Sequence, residues 1–512
     1  MPDESEVCDY KIDPDDPASW GGSDGDECYI PNELLDSTGY WRCPHKKYRD
    51  NDRCVFHMDG EPENKTREDY FLIELAKKTT TPDEDDRLNE IIGAEFSKLN
   101  LGRLSGKDSR LDSIPPLHLE HCEFNNRANL SGLSFEDDVF LNGSSFHSDL
   151  VITDGVFNGQ AGFRGIDVHG LVDFSDSMFN GRMRLNYATV SGRVNLSGAT
   201  FSQYCDLSGS EFDSGLDMTS IAFGARASIE SLNLQGITAH GSDFKGSNLS
   251  GSDFRNANLR NCNFESALMN RISMEGIDLR GSCLFGAALG GATIDGNSQI
   301  LGRPNQDNSS NYSIWNHLRA QRCVYDPLYA SDDEIDAAFN IDKAKSVYKK
   351  IEVLAQQNAA TSLQREAFIR RQDLRKLTHK RATISKDSIV GKSVGFVSWV
   401  KSSLSRSLML YGESPWRVVA WSAVCIVLYS FLYINGSMIT QQNPTNFTSS
   451  GNPPSSVSYI EALYYSTLIF TTLGFDVHRP IEAGRLLTTT EAALGAVLVS
   501  LLVFVLGRRA VR

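Results

Sequence analysis

Large apolar residues recur at every fifth position from Phe244 to Ile294, running through Leu249, Phe254, Leu259 and Phe264 without a gap. Two positions before each lies a mostly small residue, such as Ser247, Ala257, Cys262, Ala267 or Ala292, and the remaining positions are polar. A period of five matches neither the helical 3.6 nor the strand's 2. It predicts a narrow coil whose sides each turn one large and one small residue inward. Upstream the spacing alternates between five and six. One series runs Leu119, Leu130, Leu141 and Ile152 on to Ile229, and the other runs Phe124, Phe135, Phe146 and Phe157 on to Leu234. This reads as the same coil with one extra residue at alternate corners, so that about 22 residues complete a turn there. About eight or nine coils are expected, each burying its faces against its neighbours.

Two further stretches are apolar for long enough to cross a bilayer, which takes about 20 residues. Trp416–Ile434 has only Arg417 charged, and Leu486–Leu506 is broken only by Glu491. Lys392, Lys401, Arg406 and Arg417 precede the first, while Arg508, Arg509 and Arg512 follow the second. An excess of basic residues marks the cytoplasmic side, so both termini are expected there, in a two-span protein of the cell membrane. The stretch from Asn435 to Ser458 carries no charge and holds glycosylation triplets at Asn435 and Asn446, as suits an external loop. Between that loop and the second span, Tyr459–Phe470 is apolar and aromatic but too short to cross, and Thr471, Thr472, Leu473, Gly474, Phe475 and Asp476 follow it. A segment that enters and turns back is tolerated only where protein or a water-filled cavity surrounds it. That implies a pore, in which carbonyls and a threonine hydroxyl replace an ion's hydration shell.

The order of span, aromatic pore helix, TTLGF and span with a mid-helix glycine resembles the two-span potassium-channel family. The resemblance implies a homotetramer that conducts monovalent cations among membrane lipids, with a selectivity filter at 471–476 and Gly495 as gating hinge. Thr472, Leu473, Gly474 and Phe475 match the first four residues of the family's T-V-G-Y-G filter. The fifth does not match: either the second glycine is deleted or Asp476 stands in its place, which leaves potassium against sodium open. Gly495 has a packing role as its rival reading, and Glu491 either faces a water-filled vestibule or pairs near the interface. The repeats resemble the pentapeptide-repeat family, which implies a right-handed, quadrilateral β-helix with four pentads per coil. The order of the parts, meeting the membrane at Tyr411-Gly412-Glu413-Ser414-Pro415-Trp416-Arg417, resembles archaeal, often haloarchaeal, proteins that fuse such repeats to an ion channel.

The flanks are less regular. The first sixty residues hold Cys8, Cys28, Cys43, His45, Cys54 and His57 among many Asp, Gly and Pro, with too little apolar content for a core of their own. A structural zinc held by Cys8, Cys28, Cys43, Cys54 and His57 would supply the missing stability. Free thiols in a loosely ordered arm are the other reading. Asp69–Lys98 reads as helical around a break at Thr79–Pro82, with Leu72, Leu75, Leu88, Ile91 and Ile92 forming an apolar face that caps the first coil. Ile335–Thr378 reads as a helical hairpin broken near Asn358. Its basic residues, among them Lys349, Lys350, Arg370 and Arg371, either solvate a helix face or meet anionic headgroups.

At 512 residues the chain holds several domains. The expected divisions are a Cys/His-containing arm at 1–65, a helical cap at 66–116, the β-helix at 117–300, a linker at 301–334, a basic helical linker at 335–410 and the all-α pore domain at 411–512. Within the last, the spans fall at 416–436 and 486–506, the pore helix at 459–471 and the filter at 471–476. The chain carries a net charge of −15, and Leu119–Gly296 holds 21 acidic against 11 basic residues, an acidity that disfavours nucleic acid as a partner. Ten cysteines without a paired framework, and no signal-peptide pattern, lead us to expect reduced thiols in a cytoplasmic compartment. No catalytic motif is present, so no enzyme is expected, and His147, His169 and His240 read as isolated corner residues. The leading functional expectation is a tetrameric cation channel whose cytoplasmic rod senses or scaffolds an unidentified protein or ligand. A membrane-anchored scaffold with a non-conducting pore domain is the alternative. A rod that mimics DNA fits the acidity but not the membrane anchor.

Overall fold

The computed structural model describes residues 6–80, 87, 89–102, 114, 116–223, 232–302, 322–326, 340–385, 389–441, 457–473 and 478–510. Leu88, Asn446 and most of the 301–334 linker lie outside these. Two compact units emerge, 1–366 and 367–512.

The first unit opens with a lobe in which β1 (Lys11–Ile12) pairs antiparallel with β2 (Trp41–Arg42), followed by α1 (Arg67–Thr80). Behind it, strands only two residues long, β3 (Glu95–Phe96) through β25 (Leu232–Asn233), stack as four parallel sheets and make a four-sided β-helix. Along one side Glu123, Ser145, Asp167, Thr189 and Glu211 pair in succession, a step of 22 residues. Beyond Thr238 the partners become Asn258 and Asp278, a step of 20. Both spacings follow from the corners. Backbone φ is positive at every eleventh residue from His121 through Gly132, Gly143 and Asp154 to Ser220, and at every fifth from Gly241 to Gly291. Where all corners make the tight left-handed turn, four pentads close a coil. Where alternate corners do not, an extra residue is needed. Glycine takes most of the left-handed positions because it lacks the Cβ that makes them costly.

The interior is buried and stacked. Phe124 and Phe146 lie ring on ring at 4.6 Å, Phe135 and Phe157 at 4.8 Å, and Phe244 and Phe264 at 4.7 Å. Each such side chain gains about 1.5–3 kcal/mol from burial.

The β-helix starts earlier than the sequence pattern indicated. Ile91 and Ile92 are not helical; α1 stops at Thr80, and Ile91, Phe96 and Leu101 repeat the five-residue spacing inside a first coil. Glu95 there pairs with Glu123, and Leu99 with Ala128. Only α1 in the 66–116 segment is therefore helical among the described residues. At the other end α2 (Ile341–Gln357), capped by the Asn340 side chain, buries Ile341, Ala344, Tyr348, Ile351 and Ala355. Asn358 then satisfies the open edge of the last coil: it accepts from the Ile294 amide at 3.2 Å and donates to the Ala292 carbonyl at 2.9 Å. The break that follows, with Ala359 at φ 53°, leads into α3 (Thr361–Ser385), within which the division between the units falls.

The second unit is helical. After α4 (Ile389–Met409), a left-handed elbow at Tyr411 (φ 59°) and Pro415 in the first helical turn start α5 (Pro415–Asn435). Proline there loses no hydrogen bond, since a first-turn amide has no helical partner. Then come β26 (Ile439–Gln441), α6 (Tyr459–Phe470), β27 (His478–Pro480) and α7 (Glu482–Ala510). Both α5 and α7 are long and apolar enough to cross a membrane, and α6, at 12 residues, is not.

Candidate functional site

The short helix α6 is wedged between the two long ones. Its start is fixed by a capping box, with the Ser458 hydroxyl accepting from the Glu461 amide at 3.3 Å and the Glu461 carboxylate accepting from the Ser458 amide at 2.8 Å. Its end turns back through a Schellman arrangement: the Leu473 amide donates to Leu468 O at 3.0 Å and the Thr472 amide to Ile469 O at 3.1 Å. Thr472 takes the left-handed position, φ 58°, that glycine usually holds. A β-branched residue there is strained by about 1–3 kcal/mol, a cost that concentrates at functional sites. Thr471, Thr472 and Leu473 are exposed on the single chain. The remaining positions of the expected filter, Gly474, Phe475 and Asp476, lie outside the described residues. Just after them the chain is tied to the segment that follows α5, because β26 and β27 pair antiparallel through Ile439–Pro480, Thr440–Arg479 and Gln441–His478.

A buried polar hub holds the three helices together. Glu491 on α7 is fully buried; its carboxylate accepts from the Tyr433 hydroxyl of α5 at 2.7 Å and from the Ser466 hydroxyl of α6. Tyr465 and Thr488 share a further hydroxyl contact at 3.3 Å. Glu491 is thus paired inside the protein and does not face a vestibule within this chain. Gly495 sits one turn deeper, where an added Cβ would come 2.1 Å from the Phe470 carbonyl oxygen. Close approach of α6 to α7 requires glycine at that point. Tyr433, Ser466 and Thr488 went unread in the sequence; the available signal was a set of hydroxyls inside otherwise apolar helices.

At the opposite end of these helices, Asp373 on α3 accepts from the Tyr411 hydroxyl at 2.9 Å and pairs with Arg406 at 2.7 Å. Burial, followed by the charge of Asp373, pushes the Tyr411 phenol upward.

The N-terminal lobe brings together four of the five proposed metal ligands. Cys8, Cys43, Cys54 and His57 are buried, with their ligand atoms all within 4.8 Å of one another, and this cluster can hold a metal ion. Cys28 is not among them. Its Sγ lies 3.6 Å from His121 Nε2 on the β-helix, because residues 20–29 leave the lobe and lie along the coils. His121 Nε2 also accepts from the Tyr29 amide at 3.0 Å, and burial depresses the imidazole to about 4. Nor are His147 and His169 isolated: 22 residues apart, they stand on adjacent coils with their Nδ1 atoms 3.3 Å apart, and His147 Nε2 lies 2.7 Å from Glu123.

Comparison with known proteins agrees with this division. Residues 417–512 match the family described as ion channel, and residues 225–261 and 257–296 match the family described as pentapeptide repeats (8 copies). No curated protein matches the chain. Among solved structures, HetL, a pentapeptide repeat protein involved in heterocyst differentiation regulation from Nostoc sp. strain PCC 7120, shares 20% identity; the match covers 42% of this chain and 100% of HetL, with a TM-score of 0.20. Rfr23 from the cyanobacterium Cyanothece 51142 shares 23% identity over 22% of this chain and 63% of its own, with a TM-score of 0.14. QnrB1, a plasmid-mediated fluoroquinolone resistance protein, shares 15% over 30% of this chain and 90% of its own, with a TM-score of 0.12. The chain thus joins a pentapeptide-repeat β-helix to an ion-channel domain with two apolar helices of membrane-spanning length.

Proposed function

We propose that four copies of this chain assemble in the cell membrane as a channel for monovalent cations, with both termini and the β-helix in the cytoplasm. The observation that carries this reading is α6. A 12-residue helix that cannot cross, packed between two that can, ends in a strained turn at Thr472. A mere anchor has no use for such a segment, whereas an ion pathway needs non-helical backbone at membrane depth. Exposure supports the assembly: Leu473 is 77% exposed on a single chain, and Val427, Phe431, Val497 and Val503 leave apolar surface for lipid or neighbouring copies. The basic residues flanking both long helices support the orientation.

Asp476 following the matched Thr472–Phe475 stretch favours cation-over-anion conduction with weak potassium preference. Four carboxylates near an outer mouth attract any cation and do not impose a fixed coordination number. The β-helix is read as a sensing or scaffolding surface for a protein or ligand, with no enzymatic role. A haloarchaeal source is inferred from the order of the parts alone. Native mass spectrometry of the detergent-extracted protein tests the assembly: four chains per particle is expected, and a stable monomer overturns the pore.

A further inference from the structure

We propose that Cys8, Cys43, Cys54 and His57 bind one zinc ion, through three thiolates and His57 Nδ1, and that this ion fastens the N-terminal lobe to the first coil of the β-helix. The donor spacing matches the ion. Zn–S bonds of about 2.3 Å and Zn–N bonds of about 2.0–2.1 Å in a tetrahedron imply S–S edges near ~3.8 Å and S–N edges near ~3.5 Å. The Cys43 and Cys54 sulfurs are 3.7 Å apart, and His57 Nδ1 lies 3.2 Å from Cys54 Sγ and 3.8 Å from Cys8 Sγ. A disulfide would need about 2.05 Å, and all ten cysteines are free thiols.

The imidazole is set up as a ligand by its other nitrogen. Nε2 lies 2.8 Å from the Ile92 carbonyl, which can only accept, so Nε2 carries the proton and the Nδ1 lone pair faces the three sulfurs. Tyr10 stacks on the same ring at 3.9 Å and holds its plane. The Cys54 amide donates to Cys8 Sγ at 3.2 Å, which favours the thiolate. Three soft sulfurs and one imidazole select zinc over magnesium or calcium, and four protein ligands with no open position make a structural site rather than a catalytic one.

The ligands are far apart in sequence, and the metal would join what the chain separates. Cys8 and Cys43 flank the β1–β2 pairing, and Cys54 and His57 form a single turn in which the His57 amide donates to Cys54 O at 3.2 Å. His57 reaches the first coil through Ile92. Buried Arg67 of α1 repeats the link, donating to Val55 O, Met58 O and Gly60 O beside the ligand turn and to Glu95 O in the coil. Without the ion, Arg67 and the buried Ile12, Trp41, Phe56 and Phe71 side chains would be left to hold the lobe.

Cys28 supplies the control, since it contacts His121 and none of the four ligands. The test is elemental analysis of the full-length protein after dialysis against a weak chelator, paired with cobalt substitution. One zinc per chain is expected in the wild type and in Cys28→Ser, with its loss in Cys43→Ser. Tetrahedral thiolate absorption bands are expected on cobalt exchange. Removing the ion from the wild type is expected to speed hydrogen exchange at Ile91 and His118 but not at mid-rod Val172. A folded wild type that retains no stoichiometric zinc and shows no thiolate–cobalt bands overturns the site. Equal zinc loss in Cys28→Ser overturns the donor set, and unchanged exchange at Ile91 on zinc removal overturns the fastening role.

Discussion

Arg508, near the end of α7, donates to the backbone carbonyl of Tyr411 at 3.1 Å. The same guanidinium lies 3.6 Å from the Glu413 carboxylate and over the Phe368 ring at 4.8 Å. α7 is thereby tied to the elbow from which α5 starts, and the elbow is tied through Tyr411 to Asp373. A charge-assisted hydrogen bond contributes about 1.5–3 kcal/mol when shielded, and this one is partly exposed. Arg508→Ala is expected to raise open probability while leaving the assembly intact. Single-channel records of the variant check this, and an unchanged open probability would place the restraint on α7 elsewhere.

Gly495→Ala separates a hinge from a packing role. The added methyl would meet the Phe470 carbonyl at 2.1 Å, so α6 or α7 must move. Overpacking of this kind costs about 1–3 kcal/mol. A lower melting temperature of the assembled protein is expected; a variant with wild-type stability and altered gating would favour the hinge.

Tyr433→Phe removes the hydroxyl that meets Glu491 at 2.7 Å and leaves a buried carboxylate oxygen without its donor. Such a loss costs about 1–3 kcal/mol. The variant is expected to melt earlier than wild type, and Tyr433→Phe combined with Glu491→Gln is expected to recover part of the difference in the same thermal assay.

Acid should loosen the arm that runs from the lobe along the coils. Burial holds His121 at about 4, below its ordinary 6.5, so a state with the arm released binds the proton first. The contribution is complete above about pH 6.5 and is lost as pH falls toward 4. Protonation also converts Nε2, the acceptor for the Tyr29 amide, into a donor. Hydrogen exchange at Tyr29, corrected for intrinsic rate, is expected to accelerate across that window, and His121→Asn to flatten the pH dependence.

Much of this architecture was legible because strong, local demands wrote it. Bilayer thickness fixes the length of α5 and α7, and the coil's corners impose the repeats of eleven and five. The first coil escaped notice although Ile91, Phe96 and Leu101 carry the period, since the apolar face of α1 continued into them at helical spacing. Pairing of three-residue β26 with β27 joins segments nearly forty residues apart and leaves no periodic trace. The cysteine cluster was visible as a composition, but spacing could not tell Cys28, committed to His121, from the three that converge on His57. The hub around Glu491 needs three helices folded together before its partners meet.

Current recording in planar bilayers, with purified wild-type protein between sodium and potassium solutions, tests the central claim most directly. The account predicts cation-over-anion current with a reversal potential between the sodium and potassium limits, and a conductance that Asp476→Asn lowers most at low ionic strength, where screening is weakest. A silent bilayer from intact tetramers, or current carried by anions, would contradict it.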